Sequence, residues 1–474
     1  MGQASLAQVR NQRIHMVGIG GASMSGLAEM LHHDGYVVSG TDSADSYAVK
    51  KLQRMGLDVR AGHHPDMVTG AGLLVYSAAI STEDPERMEA ARLDVPQMER
   101  AVLLGAIMQE AREQVCVCGT HGKTTTTAML AQALTEAGTD PTIHLGGSLD
   151  AIGGSIRIGQ SGLFVAEACE FNRSFIHMPV TLAVLLNIEV DHLDCYGDME
   201  QVEAAYVAFL ERLPEDGRVL ALGCDERVAR VLGRLQKKNR QIYTFGEQGA
   251  YDYSFGNLSY SATGMSSFQV MHRGSSLCDV NLSVPGRYNA LHALAAIATT
   301  HLMGQDPRQA ARSLKGFTGA HRRFEHTGVV QGMDLYHDYG HNPAEMQVAV
   351  EMAKLQNRRV IAVMQPHTFS RVKTLFEEYL TCTKDADITL VTDIFGAREK
   401  DPGDINTPML IEGMRANGIT AHHTPSFDDT EAWLLQHGRA GDLVLTMGCG
   451  NINLLNDQMQ RNETLRLTTP SEAT

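Results

Sequence analysis

The segment from Val115 to Ala128, VCVCGTHGKTTTTA, most constrains what this chain can fold into. An apolar strand-like run leads into glycines and a lysine, and a helical segment follows. Glycines let backbone amides turn towards a phosphate, the helix N-terminus adds partial positive charge, and the lysine reaches the outer phosphates. Position 117 is Val, so the motif departs from the longer GxxxxGK[ST] form. The segment predicts a nucleoside triphosphate site formed by Gly119, Thr120, His121, Gly122, Lys123, Thr124 and Thr125.

Two residues of this loop carry most of the predicted chemistry. Thr124 would place a hydroxyl on Mg²⁺. Lys123 would neutralise the outer phosphates, and we expect its charge to serve the nucleotide and not the packing of the fold.

Acidic side chains follow two later strand-like runs. LFVAEACE and LLNIEVDHLD carry Glu167, Glu170, Glu189, Asp191, His192 and Asp194. Ligands of open parallel sheets bind at the carboxyl ends of strands, and Mg²⁺ beside phosphates takes one or two protein oxygens. Thr124 and one of these carboxylates are therefore enough for a metal site. By spacing alone each carboxylate can also be a surface charge, and His192 a packed or solvated histidine.

A second glycine-rich turn, GIGGASMSG at residues 18–26, follows the first strand-like run. Asp42 ends the next strand, as in a dinucleotide-binding fingerprint. The third glycine of that fingerprint is replaced by Ser23, so the pattern supports the pyrophosphate of some nucleotide better than NAD. A nucleotide fold that binds nothing at this turn remains open.

Apolar strand-like runs alternate with amphipathic helical segments in three stretches, which predicts α/β domains with parallel sheets. Between Tyr251 and Val284 the period changes to two with Gly and Ser punctuation, which predicts an antiparallel flap. The polar tail after Gln458 is expected to fray. The predicted domains are 1–108, 109–318 and 319–474, and predicted helices include 287–303, 307–315, 343–355, 370–383 and 407–416.

The charge balance limits the partners. The chain has 40 Lys and Arg against 55 Asp and Glu, a net charge of −15, without a basic run. This argues against non-specific binding to nucleic acid or an anionic membrane. Apolar runs such as LAVLLNI fall short of the roughly 20 residues of a membrane span, so we expect a cytoplasmic protein without membrane insertion.

Cationic and imidazole side chains recur in the last third. They form the clusters HRRFE at 321–325, HDYGHNP at 337–343 and QPHTFSR at 365–371. Such groups suit a site that neutralises phosphate and carboxylate charge. Solvated surface clusters are an equally open interpretation.

Together these residues resemble the Mur ligase family, ATP-dependent ligases that add amino acids to the cell-wall precursor UDP-N-acetylmuramic acid. The resemblance runs from Arg13 to about Leu455. Its motifs are GTHGKTT at 119–125, NIEVDHLD at 187–194, GRYNAL at 286–291, HRRFE at 321–325 and DYGHNP at 338–343. The opening GIGGASMSGLA at 18–28 is similar to the branch that adds L-alanine.

The resemblance implies three domains: an N-terminal Rossmann-like domain for the UDP-sugar, a central P-loop domain with a small flap, and a C-terminal Rossmann-like domain for the amino acid. It also implies the reaction. ATP, UDP-N-acetylmuramate and L-alanine would give ADP, phosphate and the alanyl product through an acyl phosphate, with Mg²⁺ as cofactor.

The resemblance also assigns roles to single residues. Residues that would hold the UDP-sugar are Gly18, Gly20, Gly21, Ser23, Met24, Ser25, Asp42, His63 and Ser77. Residues implied in ATP binding beyond the loop are Asn289, Arg322 and Asp338. The implied metal ligands are Thr124, Glu167 and His192, the amino-acid pocket is His341, His367 and Arg371, and the catalytic set is Lys123, Glu167, His192 and Arg322.

Three positions depart from the family pattern. Cys169 stands where an acidic residue is usual, which leaves open whether Glu167 or Glu170 is the main metal carboxylate. His292 and Asn342 replace a usual asparagine and a usual histidine. The helix after the DH motif offers no lysine for carbamylation, so no such modification is predicted.

Rival interpretations remain at this point. One is a recycling ligase that attaches a murein peptide to the same UDP-sugar. Others are a dehydrogenase built on the N-terminal turn and a nucleotide-regulated binding protein without turnover. Monomer and homodimer are both open.

Overall fold

The structure, a computed structural model, describes residues 6–189, 193–235, 240–397 and 399–468. The chain divides into two compact units. The first comprises residues 1–258, 268–281 and 288–317, and the second comprises 259–267, 282–287 and 318–474. In the described ranges, no helix is both long enough and apolar enough to cross a membrane.

The first unit opens with a five-stranded parallel sheet of order β3-β2-β1-β4-β5. Its elements are β1 Arg13–Val17, α1 Ala22–His33, β2 Val37–Asp42, α2 Tyr47–Arg54, β3 Asp58–Ala61, β4 Ala71–Tyr76, α3 Pro85–Arg92, β5 Gln97–Glu99 and α4 Arg100–Met108. Val17 at the end of β1 lies opposite Thr41 and Tyr76. The residues that follow β1, β2 and β4 therefore share one edge of the sheet, where ligands of such sheets bind.

A buried polar network lies within this sheet. Glu86 on α3 is fully buried and accepts hydrogen bonds from Thr41 Oγ1 at 2.7 Å and from the backbone N–H of His64 at 2.7 Å. His15 Nε2 lies 2.8 Å from the same carboxylate. Burial raises the pKa of Glu86, but the hydrogen bonds from His15, Thr41 and His64 outweigh it, so the net shift is downward. The network ties β1, β2 and the residues after β3 together.

We expect Glu86→Ala to destabilise the protein by about 3 kcal/mol, because it leaves several buried donors without an acceptor. Urea unfolding at pH 7 measures this. A lowered pKa means that the charged carboxylate stabilises the fold above its unfolded pKa of about 4.3, and that this contribution is lost as pH falls through the lower folded value. The difference in free energy of unfolding between the native protein and Glu86→Ala should therefore decrease at acid pH. Met88→Ala, at an exposed position on the same helix, is the control, and a difference in unfolding free energy that grows in acid contradicts the prediction.

A second sheet has the order β15-β14-β13-β12-β11-β10-β6-β9-β7-β8. Its elements are β6 Glu113–Cys118, α5 Lys123–Glu136, β7 Thr142–Leu149, β8 Gly154–Arg157, β9 Leu163–Glu167, β10 Leu182–Leu185, α6 Leu193–Tyr196, α7 Met199–Leu210, β11 Arg218–Leu222, α8 Glu226–Gly233, β12 Gln241–Gly246, β13 Tyr253–Tyr260, β14 Met265–His272, β15 Ser275–Pro285, α9 Arg287–Leu302 and α10 Pro307–Leu314. Val117 pairs with Glu167, and Cys118 with Leu185. The loops after β6, β9 and β10 therefore emerge at one edge.

The three strands β13, β14 and β15 form the predicted flap. The connection from β14 to β15 is the dipeptide Arg273-Gly274, and both residues have positive φ, 48° and 83°. Two positive φ values in a two-residue loop make the type I′ turn that joins antiparallel strands. The antiparallel flap that the change of period predicts is therefore confirmed.

The second unit contains a six-stranded sheet of order β16-β17-β21-β18-β19-β20. Its elements are β16 Glu325–Val330, β17 Met333–Asp338, α11 Pro343–Lys354, β18 Val360–Met364, α12 Phe369–Thr374, α13 Phe376–Tyr379, β19 Ile388–Val391, α14 Thr407–Ala416, β20 Ala421–His423, α15 Phe427–His437, β21 Leu443–Met447 and α16 Asn453–Thr468. Met447 pairs with Asp338 on one side and Met364 on the other. The ends of β17, β21 and β18 thus lie side by side.

Two sequence expectations are wrong in this unit. The predicted helix 370–383 is split into α12 and α13, because Leu375 between them has φ −108° and ψ 29°. The tail after Gln458 is helical to Thr468 in the described range. Leu455 and Met459 are buried, and Asn462 donates to Glu431 at 2.8 Å, so tertiary contacts hold this polar helix.

Candidate active site

The loop after β6 has the backbone of a phosphate site. Gly119 and Gly122 have φ of 136° and 81°. A Cβ on Gly122 would lie 2.1 Å from the His292 ring, and one on Gly119 would lie 3.0 Å from the Asn187 backbone. Gly122 precedes α5, and among the described residues no side chain caps this helix N-terminus. The cradle and the helix dipole fit the triphosphate of ATP.

The side chain of Asn187, a residue that follows β10, hydrogen-bonds to the backbone of this loop. Its Oδ1 accepts from the His121 backbone N–H at 2.8 Å, and its Nδ2 donates to the His121 carbonyl at 3.0 Å. Thr120 Oγ1 accepts from the Glu189 backbone N–H at 2.8 Å. The hydroxyl of Thr120 and the backbone of His121 are thus engaged in holding the loop, and His121 Nε2 lies 3.4 Å from the Glu189 carboxylate.

Lys123 is part of a buried ion pair. Its Nζ lies 2.9 Å from Glu170 Oε2 and donates to the carbonyls of Gly119 at 2.6 Å and Thr120 at 2.9 Å. Glu170 is only 4% exposed in its side chain. Burial lowers the pKa of Lys123, but the charge of Glu170 outweighs it and raises the pKa overall, so the lysine is charged. The expectation that this charge does not serve packing is wrong.

Thr124 and Glu167 form the oxygen pair that the sequence predicts for a metal. Thr124 Oγ1 donates to Glu167 Oε2 at 3.0 Å, and the backbone N–H of Gly146 donates to Glu167 Oε1 at 2.6 Å. A hydroxyl and a carboxylate at the start of a P-loop helix are the hard oxygen donors that Mg²⁺ takes beside phosphates. In the described part of the chain, no group of three or more His, Cys, Asp or Glu side chains is placed to hold a metal. The Thr124 hydroxyl and the Glu167 carboxylate by themselves fit a phosphate-bound Mg²⁺, which takes one or two protein oxygens.

Part of the predicted metal site lies outside the described residues, namely Asp191, His192 and the Asp194 side chain. The role of His192 stays a prediction.

Helix α9 approaches the phosphate loop. His292 lies against Gly122, and Asn289 is half-buried nearly one turn earlier on the same helix. Residues three apart on a helix share a face. The predicted ATP-binding residue Asn289 is thus on the face of α9 that turns towards the loop, and Thr125 is half-buried in the first turn of α5.

The N-terminal glycine-rich loop is built in a similar way. Gly18 has φ 74°, and the backbone N–H of Gly20 donates to Asp42 Oδ2 at 2.9 Å. A Cβ on Gly20 would lie 2.9 Å from the same oxygen. Gly21 precedes α1, and within the described chain no side chain caps that N-terminus. Asp42 therefore holds the loop itself, and the start of α1 fits an anionic group.

The next residues of α1 turn their side chains away from solvent. Met24 is buried in the core, and Ser25 Oγ donates to the Ala22 carbonyl at 3.2 Å. Ser23 Oγ lies 2.8 Å from His144 Nε2. The Ser25 backbone N–H donates to the Gly21 carbonyl at 2.8 Å, so it too is engaged, and a contact of Met24 with a nucleotide phosphate would use the Met24 backbone amide. The other two predicted residues, His63 and Ser77, follow β3 and β4, and the exposed His63 Nδ1 lies 3.3 Å from Asp84.

In the second unit, Arg322 lies at the ends of β17 and β21. Its Nη2 donates to the carbonyls of Gly448 at 3.2 Å and Gly450 at 3.1 Å, and its Nε donates to His337 Nε2 at 3.1 Å. Burial, then the Arg322 charge, lowers the pKa of His337 to about 3. The guanidinium also lies 4.7 Å from the centre of the Tyr339 ring. Arg322 is thus held in place at the sheet edge.

Asp338, at the end of β17, has both oxygens engaged. Oδ2 accepts from the Phe324 N–H at 2.8 Å and Oδ1 from the Gly340 N–H at 2.7 Å. Burial raises the pKa of Asp338 above its ordinary value. The carboxylate fixes the backbone around Arg322, whose φ of 62° is unusual for a residue with a side chain.

The three predicted amino-acid pocket residues come together at the same edge. The rings of His341 and His367 are 6.2 Å apart, and Arg371 Nη1 donates to His367 Nδ1 at 3.3 Å. Burial, followed by the charge of Arg371, lowers the pKa of His367 to about 4, so its ring is neutral at pH 7. Tyr379 donates to the His341 carbonyl at 2.7 Å. A cation beside two imidazoles suits an amino-acid carboxylate.

Sequence reasoning missed several residues that build these sites. They are the loop anchor Asn187, the Glu167 partner Gly146, the Ser23 partner His144, and the Arg322 acceptors Gly448 and Gly450. Asn187 begins the NIEVDHLD motif at 187–194, so the sequence does carry a signal for it. The others contact their partners through the tertiary fold, and no local pattern indicates them.

Three protein families match the chain in order. The Mur ligase family, catalytic domain, matches residues 13–112, the Mur ligase middle domain 117–300, and the Mur ligase, glutamate ligase domain, 322–450. A curated UDP-N-acetylmuramate–L-alanine ligase of Caldanaerobacter subterraneus subsp. tengcongensis is 40% identical over 442 residues, which cover 93% of this chain and 95% of that protein. The chain belongs to the Mur ligase family. The expected three-domain α/β architecture of the family is confirmed.

Solved structures agree with this membership. A UDP-N-acetylmuramate–alanine ligase of Thermotoga maritima is 25% identical with a TM-score of 0.82, covering 96% of this chain and 100% of that one. A murein peptide ligase of Psychrobacter arcticus 273-4 is 23% identical with a TM-score of 0.73, covering 95% and 98%. The second likeness shows the fold alone.

Proposed function

We propose that this Mur ligase joins L-alanine to the carboxylate of UDP-N-acetylmuramate with the hydrolysis of ATP to ADP and phosphate. The observation that carries the proposal is the 40% identity to a UDP-N-acetylmuramate–L-alanine ligase over nearly the whole length of both chains. The phosphate loop, with its charged lysine and its Thr124–Glu167 oxygen pair, supports the use of ATP. The product belongs to peptidoglycan precursor synthesis.

The reaction proceeds in two steps. The UDP-N-acetylmuramate carboxylate attacks the γ-phosphorus of ATP, forms an acyl phosphate and releases ADP. The alanine amine then attacks the acyl carbon, and phosphate leaves. Both first-step reactants are anions, so the protein must neutralise charge and hold the groups in line. Lys123 and the backbone amides at the start of α5 would do this at the phosphates.

The residue roles follow from the contacts. Thr124 and Glu167 would hold Mg²⁺, which supplies charge neutralisation at the phosphates, while Glu170 holds Lys123. Asn289 and His292 on α9 would flank the nucleotide. Arg322 and Asp338 lie where β17 and β21 of the second unit end. The glycine-rich loop at 18–26 takes the UDP-sugar, and His341, His367 and Arg371 take L-alanine.

We also propose the domain division 1–108, 109–318 and 319–474 and a cytoplasmic location. Helix α4 ends at Met108 and β6 begins at Glu113, which supports the first boundary. All eight cysteines are free thiols, as is usual in a reducing compartment.

Phosphate release tests the proposal. The native chain is incubated with ATP, Mg²⁺, UDP-N-acetylmuramate and L-alanine, and each component is omitted in turn. We expect release to require all four, and a murein tripeptide in place of L-alanine to support less than about a tenth of the rate, since a built pocket discriminates strongly against the wrong substrate. Faster release with the tripeptide would favour the recycling reaction, and reduction of NAD in its place would favour a dehydrogenase.

A further inference from the structure

A hydrogen-bonded chain inside the first unit joins the glycine-rich loop to strand β7. Arg100 Nη1 donates to Ser23 Oγ at 3.0 Å, and Ser23 Oγ lies 2.8 Å from His144 Nε2. The serine oxygen can accept from the guanidinium and also share a hydrogen bond with the imidazole, in which the donor depends on the histidine tautomer. His144 on β7 therefore orients Ser23 at the start of α1.

His144 is suited to this role because it stays neutral. The side chain is 4% exposed, and burial, followed by the charge of Arg100, lowers its pKa to about 4. At pH 7 the ring is therefore neutral, and its hydrogen bond with the Ser23 hydroxyl joins two uncharged groups.

Two residues further along β7, Gly146 contacts the ATP side. Its backbone N–H donates to Glu167 Oε1 at 2.6 Å, and Glu167 Oε2 accepts from Thr124 at 3.0 Å. A Cβ on Gly146 would lie 2.8 Å from Glu167 Oε2. Strand β7 therefore contacts Ser23 through the His144 side chain and Glu167 through the Gly146 backbone, two residues apart.

Helix α1 is also packed tightly on this hairpin. A Cβ on Gly26 would lie 1.9 Å from Ile156 Cδ1 on β8, the strand that pairs with β7. Ser23 and Gly26 are three residues apart and share a face of α1. Helix α1 therefore contacts the β7–β8 hairpin at two places, through the Ser23–His144 hydrogen bond on β7 and the packing of Gly26 against Ile156 on β8.

We propose that His144 is a positioning residue that couples occupancy of the glycine-rich loop to the ATP site. The inference rests on the proposed function, which places UDP-N-acetylmuramate at the loop and ATP with Mg²⁺ at Thr124 and Glu167. A bound UDP-sugar fixes Ser23, His144 and β7, and thereby the Gly146 amide that orients Glu167. Coupling between two binding equilibria is reciprocal, so each ligand raises the affinity for the other by the same factor.

Isothermal calorimetry on the full chain measures the coupling. The Kd of UDP-N-acetylmuramate is determined with and without saturating Mg²⁺ and β,γ-imido-ATP, and the ratio of the two values is the coupling factor. We expect a factor of at least about five for the native chain, the lower end of common allosteric couplings. His144→Leu should reduce the factor to about one, since it removes the hydrogen-bonding partner of Ser23 at similar volume. His144→Gln, whose amide can donate or accept near the Nε2 position, should restore most of it.

Two further variants make the test specific. Ser23→Ala removes the other partner of this hydrogen bond and should also abolish coupling. The factor is the ratio of two Kd values for the same variant, so a loss of UDP-sugar affinity that affects both values equally cancels. His33→Leu changes an exposed histidine on the same helix and should keep the native factor. If His144→Leu fails to fold, Ser23→Ala and His144→Gln decide.

A native factor of one overturns the inference, as does a native-like factor in Ser23→Ala or in a folded His144→Leu. Those results leave UDP-sugar binding and phosphate release by the native chain intact. Failure of the proposed function looks different, because the native chain then neither binds UDP-N-acetylmuramate nor releases phosphate, and the inference falls with it.

Discussion

Lys123→Ala is expected to lower phosphate release by at least about a hundredfold, because a preorganised charge at the transferring phosphate is lost. It should also destabilise the protein by about 3 to 5 kcal/mol, since the buried Glu170 carboxylate loses its partner. The lysine lies 2.9 Å from that carboxylate, and the two side chains are 14% and 4% exposed. Because the substitution affects both the reaction and the stability, loss of activity in this variant alone does not show which of the two is responsible.

A double variant separates the two effects. Lys123→Met with Glu170→Gln removes both charges, so urea unfolding should show most of the lost stability restored while phosphate release stays low. Lys354→Met, which breaks the half-exposed pair with Asp387, is the control and should change stability by no more than about 1 kcal/mol. Near-native phosphate release by a folded Lys123→Ala protein would contradict the role of the lysine.

The phosphate loop could be predicted from sequence because its chemistry is local. Gly119, Gly122 and Lys123 lie within five residues, and the strand before them and the helix after them are both visible as patterns. The ion pair could not be predicted in the same way. Glu170 is 47 residues from Lys123 and reaches it only because β9 lies beside β6 in the sheet.

Ser23 shows the same limit at the other loop. The sequence marks it as the replacement of a fingerprint glycine, which argues against a strong NAD interpretation. What the hydroxyl does depends on Arg100 and His144, which are 77 and 121 residues away. Local pattern identifies the loop, whereas tertiary packing decides which atoms of the loop remain for a ligand.

In the second unit, tertiary packing and not helix propensity determines where these helices end. The run 370–383 has a continuous helical pattern, yet Leu375 interrupts it where Phe369, Leu375 and Phe376 pack against the core. The polar segment after Gln458 lacks an apolar face that would predict a helix. Hydrogen bonds from Gln458 and Asn462 to Glu431 stabilise it, and single-sequence patterns do not carry such contacts.

Glu167→Gln is expected to raise the Mg²⁺ concentration for half-maximal phosphate release by about tenfold or more, as loss of a metal-site group commonly does. The substitution removes one negative charge at nearly constant shape. The Gln oxygen can still accept from the Gly146 N–H, so the fold around β7 should persist. Metal dependence of the rate, measured at saturating ATP and UDP-N-acetylmuramate, gives the shift, and direct Mn²⁺ binding in the presence of β,γ-imido-ATP checks it without turnover.

Glu170→Gln is the matched variant that decides between the two carboxylates. Glu170 contacts Lys123, whereas Glu167 contacts the Thr124 hydroxyl. Because a hard cation beside the P-loop threonine is closest to Glu167, Glu170→Gln should lower stability and maximal rate but leave the Mg²⁺ dependence at its native value. If Glu167→Gln retains the native Mg²⁺ dependence and Glu170→Gln shifts it, Glu170 is the metal ligand and Glu167 only orients Thr124.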